Sequence, residues 1–129
     1  MTTYPQPPRT MSELLAPFPA EIVATARALR ATIKSVLPRA TEAFYGGTSV
    51  GIALYTHDES GRVACGIQPA MTHCKLYVHG VRATDLPEVR LEGAGKTSRH
   101  VKVPSVKEAQ SLPIRIVIEM AAKAVGVRP

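Results

Sequence analysis

The chain has 129 residues, the size of one domain, long enough to bury about two thirds of the surface its unfolded form would expose. Hydrophobic residues make up 45% and charged residues 20%, and with no Trp and only two Phe the core must be built from Ile, Leu, Val and Ala. No run approaches the roughly 20 apolar residues of a membrane span, and Met1 to Thr10 lacks the basic segment and apolar core of a signal peptide, so the cytoplasm is the expected compartment.

The net charge of +6, from 16 basic and 10 acidic residues, favours acidic partners in a general way. Tyr4, Phe18, Phe44, Tyr45, Tyr55 and Tyr77 are scattered, and no segment interleaves them with basic residues as a single-strand stacking surface would, which disfavours nucleic acid as a partner.

Residues 1–11, with Pro5-Gln6-Pro7-Pro8, read as a flexible Pro-rich tail, and residues 12–129 as a single domain. Ser12 is the expected cap of one helical turn that Pro17 and Pro19 halt. From Ala20 to Leu37, the spacing of Ile22, Val23, Ala26, Leu29, Ile33, Val36 and Leu37 predicts a helix ended by Pro38. Arg27, Arg30 and Lys34 recur on its opposite side as an exposed cationic flank.

Strand-type segments follow at 41–46, 48–56, 62–68, 73–79 and 99–103. The Asp58-Glu59-Ser60-Gly61 turn and the Pro69-Ala70-Met71-Thr72 link suit hairpins and are too short for parallel crossovers, so the sheet should be antiparallel. Residues 80–98 read as a long loop. Ser111 and Pro113 signal a last helix over 113–125, with an apolar stripe from Ile114 to Val125. The expected architecture is α+β, a two-layer sandwich with the first and last helices packed on one face of an antiparallel sheet.

His73, Lys75, Tyr77 and His79 share one face of their strand, and Cys74, Leu76 and Val78 the other. His73 and His79 lie about 20 Å apart along a strand and cannot share a metal. If the hairpin closes at 69–72, Cys65 stands opposite Leu76 and Cys74 opposite Ile67, diagonal neighbours that would strain a disulfide, so reduced buried thiols are expected. Without C-x-x-C, H-E-x-x-H or a carboxylate cluster, neither a metal site nor a cofactor is expected.

The richest segment is Leu91-Glu92-Gly93-Ala94-Gly95-Lys96-Thr97-Ser98-Arg99-His100-Val101-Lys102. Gly93 and Gly95 free the backbone, while Lys96, Arg99, His100 and Lys102 supply donors, the ingredients of an anion site. Gly95-Lys96-Thr97 imitates the end of a P-loop, but the first glycine of that motif falls on Arg90 and a strand, not a helix, follows. The neighbouring cations Lys96, Arg99 and Lys102 should lower the pKa of His100 and keep it neutral near pH 7. Glu92, Thr97 and Ser98 lack a visible activating constellation, so binding rather than catalysis is expected.

Cys74-Lys75-Leu76-Tyr77-Val78-His79-Gly80, then Asp85-Leu86-Pro87, then the segment from Leu91 to Lys102, resemble the YdhG-like family of bacterial domains of unknown function over residues 12–125. The resemblance implies a compact α+β domain, similar to frataxin, with a helix at each end flanking an antiparallel sheet. It also implies iron delivery, as for a frataxin-like member, although Arg27, Arg30 and Lys34 stand where an acidic ridge would be needed to bind a hard cation. The expected function is therefore noncatalytic binding of a small anionic ligand, phosphate-bearing ligands included, by a monomer or homodimer. Iron delivery and a nucleic-acid-binding accessory role are the alternatives.

Overall fold

A computed structural model describes residues 6–46, 51–82, 86–93 and 98–126. The elements in chain order are α1 (Met11–Leu15), α2 (Ala20–Val36), β1 (Thr41–Tyr45), β2 (Ile52–Thr56), β3 (Val63–Pro69), β4 (Cys74–His79), β5 (Ser98–Val103), α3 (Val106–Ala109) and α4 (Leu112–Gly126). The sheet has five strands in the order β1-β2-β3-β4-β5, every neighbouring pair antiparallel; the short links require it from β1 to β4, and β5 pairs with β4 in the same sense after a long connection. The expected strand residues 48–50 lie outside the described residues.

Two helix starts differ from expectation, for one reason. Thr10, not Ser12, caps α1, its hydroxyl accepting from the Glu13 amide at 3.1 Å. Ser105 caps the short α3 in the same way, accepting from the Glu108 amide at 3.2 Å. Both are Ser/Thr-x-x-Glu sequences, which satisfy an amide left free in the first turn. The tail also departs from a free segment: Pro8 is buried, and a Cβ built on Gly46 would meet its Cδ at 2.8 Å.

The core follows strand alternation. Ala53 and Tyr55 of β2, Cys65 and Ile67 of β3, Cys74, Leu76 and Val78 of β4, and Val101 and Val103 of β5 are buried with Ile22, Ala26, Leu29 and Ile33 of α2 and Ile114, Val117, Ile118 and Ala121 of α4. The helices α2 and α4 touch β3, β4 and each other, and the Cys74 thiol donates to the Ile22 carbonyl at 3.7 Å. We call this the inner face.

The cationic flank of α2 is not a free stripe. Arg30 grips Glu42 of β1 with two bonds, Nε to Oε2 at 2.7 Å and Nη2 to Oε1 at 2.8 Å, and Lys34 lies 4.0 Å from the same carboxylate. Tyr55, fully buried and cross-strand from Glu42, donates its hydroxyl to Oε2 at 2.6 Å. Arg27 donates to the Ser12 hydroxyl at 2.9 Å. The sequence shows the cations but not that strand β1 brings their counter-ion.

The register of β3 with β4 also corrects the expected one. The pair closes at Ala70 and His73, with Ala70 N–H donating to the His73 carbonyl at 2.9 Å, so Cys65 faces Val78 and Cys74 faces Pro69. In a ladder whose closing pair is bonded, the next pair is not, and Pro69, which has no N–H, fits that position. The cysteines are therefore four residues apart along the ladder, about 13 Å, well beyond disulfide reach.

Both thiols are free, and burial pushes Cys65 and Cys74 each up to about 12. Iodoacetamide should therefore modify neither in the native protein and both after unfolding, as read by intact mass; rapid native labelling of either would contradict the buried assignment.

Glu42 is held below the ordinary carboxylate range, first by the Arg30 hydrogen bonds and also by the Tyr55 hydroxyl. The resulting stability is fully present above the unfolded-state carboxylate range and is lost as pH falls through the folded value. Tyr55→Phe should cost about 1.5–3 kcal/mol near neutral pH, for a buried bond to a charged acceptor, and the deficit should shrink on acidification. Urea unfolding from pH 7 to 3 checks both statements.

Candidate functional site

Alternation leaves the opposite, outer face to the remaining side chains. Across it runs one register row: Leu54 of β2 pairs with Gly66 of β3, Gly66 with Tyr77 of β4, and Tyr77 with His100 of β5. Glu92 extends the row past β5, since its amide donates to the His100 carbonyl at 2.8 Å and its carbonyl accepts from the His100 amide at 2.9 Å. Two residues along, about 7 Å away, a second row pairs Gln68 with Lys75 and Lys75 with Lys102.

The two rows interlock. Tyr77 and His100 rings lie 5.3 Å apart at 45°, and the Tyr77 hydroxyl donates to Gln68 Oε1 at 3.3 Å. Glu92 Oε2 lies 3.8 Å from His100 Nε2 and 3.9 Å from Lys102 Nζ. Lys75 has no ion-pair partner among the described residues, although it stands directly across from Lys102. Like charges facing each other across a ladder repel, so this pair favours an anion between them.

Burial is the first cause lowering the His100 pKa; Lys75 and Lys102 lower it further, and the Glu92 carboxylate opposes them. The expected direction holds, but the leading cause is desolvation, and an acidic neighbour that the sequence reading did not see is present. His73 is lowered by burial and by Lys102 and Lys75. Its Nδ1 lies 2.9 Å from the Thr72 hydroxyl, and its buried Nε2 has no partner among the described residues.

The structure divides the sequence-predicted site. His100 and Lys102 share the outer face, and Gly93 follows Glu92 directly with φ of 108°, a conformation that side chains disfavour. Arg99 has the parity of Val101 and Val103, opposite Val78, and belongs to the inner side at the end of the strand. Gly95 and Lys96 lie outside the described residues. Lys75 and Tyr77 join the site by register; their shared face with His73 is readable from period two, but their pairing with Lys102 and His100 is not.

A shallow cavity of about 300 Å³ adjoins this cluster, lined by Glu88, Arg90, Glu92, Val101 and Lys102. A second, of about 550 Å³, lies at the β1 edge between Gln6–Arg9 and Glu42–Phe44, away from the basic rows. Among the described residues no three His, Cys, Asp or Glu side chains are grouped as a metal would need, and no helix is long and apolar enough to cross a membrane. No protein-family model, curated protein or solved structure matches the chain.

The Glu92 contribution can be isolated. Glu92→Gln removes the charge that supports His100 protonation, so the His100 titration followed by NMR should move to lower pH. An unchanged or raised midpoint would show that the carboxylate does not act on the ring.

Proposed function

We propose that this protein binds an anionic ligand, phosphate-bearing ligands included, without catalysing its conversion, and that the contact is made on the outer sheet face by Lys75, Lys102 and His100. The observation that carries the reading is the opposed Lys75–Lys102 pair beside a half-buried imidazole. The glycine-rich segment contributes through Gly93, with Gly95 and Lys96 following it in sequence toward the start of β5. The whole is read as a two-layer sandwich of the YdhG-like and frataxin-like kind, with α2 and α4 covering the inner face and the outer face left to the ligand.

Both thiols are buried and protonated near neutral pH, His100 meets a carboxylate only at 3.8 Å, and the Thr72 hydroxyl, 2.9 Å from His73 Nδ1, faces a ring whose Nε2 has no orienting partner among the described residues. Binding needs less, two fixed cations and a ring that can donate, and these are present.

Sulfate is the sharpest first probe because its charge is constant across the histidine range. Calorimetry should show weaker sulfate binding for Lys75→Ala and Lys102→Ala, by about 1.5–3 kcal/mol each, with Arg99→Ala near wild type. Affinity should rise as pH falls through the lowered His73 and His100 values, since each ring then gains a charge. Loss of binding in Arg99→Ala alone would return the site to the other side of β5.

A further inference from the structure

The two rows on the outer face carry different chemistry side by side. One is a shelf of flat and apolar groups. Leu54 leans into the gap left by Gly66, where an added Cβ would lie 2.8 Å from Leu54 Cδ2, and Tyr77 and His100 continue the surface to β5. From β2 to β5 this shelf spans three strand spacings, about 14 Å, enough for more than one planar ring. The other row, Gln68, Lys75 and Lys102, runs alongside it with an amide and two cations. Lys102 is 56% exposed, so its charge remains available to a partner from solvent.

We infer that this face binds single-stranded nucleic acid, with bases laid on Tyr77 and its neighbours in the first row and the phosphodiester backbone held by Lys75 and Lys102 in the second. The inference rests on the anion-binding reading of the same lysines and names the anion's class. Charge complementarity selects the occupant: aromatic and apolar surface alone would serve many partners, but a ring surface bordered by opposed, underneutralised lysines matches the alternation of base and phosphate along a strand. A sheet face that α2 and α4 leave uncovered also suits a chain lying across it better than a small ligand, which is normally enclosed in a concavity. Basic and aromatic residues do interleave here, as Lys75, Tyr77 and His79 on β4 and His100 and Lys102 on β5, but they do so at every second residue and across strands, where a search for a contiguous mixed segment misses them.

The test is fluorescence anisotropy with a labelled 12-nucleotide oligouridylate, run beside sulfate calorimetry on the same preparations. The full chain should bind the oligomer with an affinity that falls steeply with salt, and Lys102→Ala should reduce the slope of log affinity against log salt by about 0.7. Tyr77→Leu should weaken the oligomer by about 5- to 150-fold, far more than it weakens sulfate, which meets the lysines rather than the ring, and Tyr77→Phe, which keeps the ring, should stay near wild type in both. Lys123→Ala, on α4, removes the same charge from an exposed site and should change neither measurement. Circular dichroism and thermal midpoints confirm that each variant is folded.

Sulfate binding that depends on Lys75 and Lys102, together with no oligomer binding or with oligomer binding indifferent to Tyr77→Leu, would overturn this inference and leave the anion reading standing. Indifference of both probes to both lysines would overturn the two together. Uridine monophosphate binding as tightly as the 12-mer, a duplex binding more tightly than the single strand, or a homodimer that Tyr77→Leu dissolves would each assign the face to another occupant and end the proposal.

Discussion

The bond from Ala70 N–H to the His73 carbonyl, 2.9 Å long, fixes who faces whom on the outer sheet. Closing the hairpin there gives Met71 and Thr72 as its tip and sets Gln68 opposite Lys75 and Gly66 opposite Tyr77. Closure over 69–72 would preserve the faces, since the shift between the two registers is even, but would place Gly66 opposite Lys75. The lysine would then lose its amide neighbour, and the tyrosine would stand opposite Ala64, four residues from the Gln68 amide that its hydroxyl now reaches. Pro69 supports the observed choice because the position it occupies asks for no N–H. A turn of two residues thus determines the chemistry two strands away, through β4 to His100 and Lys102 on β5.

The two faces handle charge in opposite ways, and burial explains the difference. On the inner face Glu42 is surrounded by Arg30, Lys34 and the Tyr55 hydroxyl, so an acid close to the core finds donors for both oxygens. Leaving such a group unpaired would be expensive, and the network is closed. On the outer face, His100 and Lys102 share the Glu92 carboxylate while Lys75 has no ion-pair partner among the described residues, and after burial the two lysines lower both His73 and His100. Water can solvate this excess of positive charge, so the fold tolerates it without requiring it. An arrangement that stability does not require is a better candidate for binding than one that holds the core together.

The legible part of the fold is the part carried by local pattern. The period of Ile22, Ala26, Leu29 and Ile33 marked α2, the short links marked antiparallel pairing, and alternation put Cys74, Leu76 and Val78 inside. What stayed hidden depends on contacts distant in sequence or on register. Glu42 meets Arg30 only when the chain reverses after α2, and Lys75 meets Lys102 only across a ladder separated by 27 residues of chain, a distance no window spans. The motif around His100 looked like one cluster because its residues are adjacent in sequence. A strand undoes adjacency, sending Arg99 to one side and His100 and Lys102 to the other.

Glu92 connects these observations. Its backbone pairs with His100 and makes residue 92 a one-rung extension of the sheet beyond β5, so Gly93, the next residue, is held beside the site by main-chain bonds. Its carboxylate, within 4 Å of both His100 and Lys102, already supplies the charge an external anion would bring to that end of the cluster. Lys75 has no such neighbour among the described residues. An incoming anion therefore gains most between Lys75 and Lys102, on the β4 side, where attraction to Lys75 is uncompensated and repulsion from Glu92 is weakest. A ligand of the kind proposed would be oriented by the same asymmetry, its negative group over the Gln68–Lys75–Lys102 row and any flat or apolar part on the row of Leu54, Tyr77 and His100, where Glu92 repels charge but not a ring.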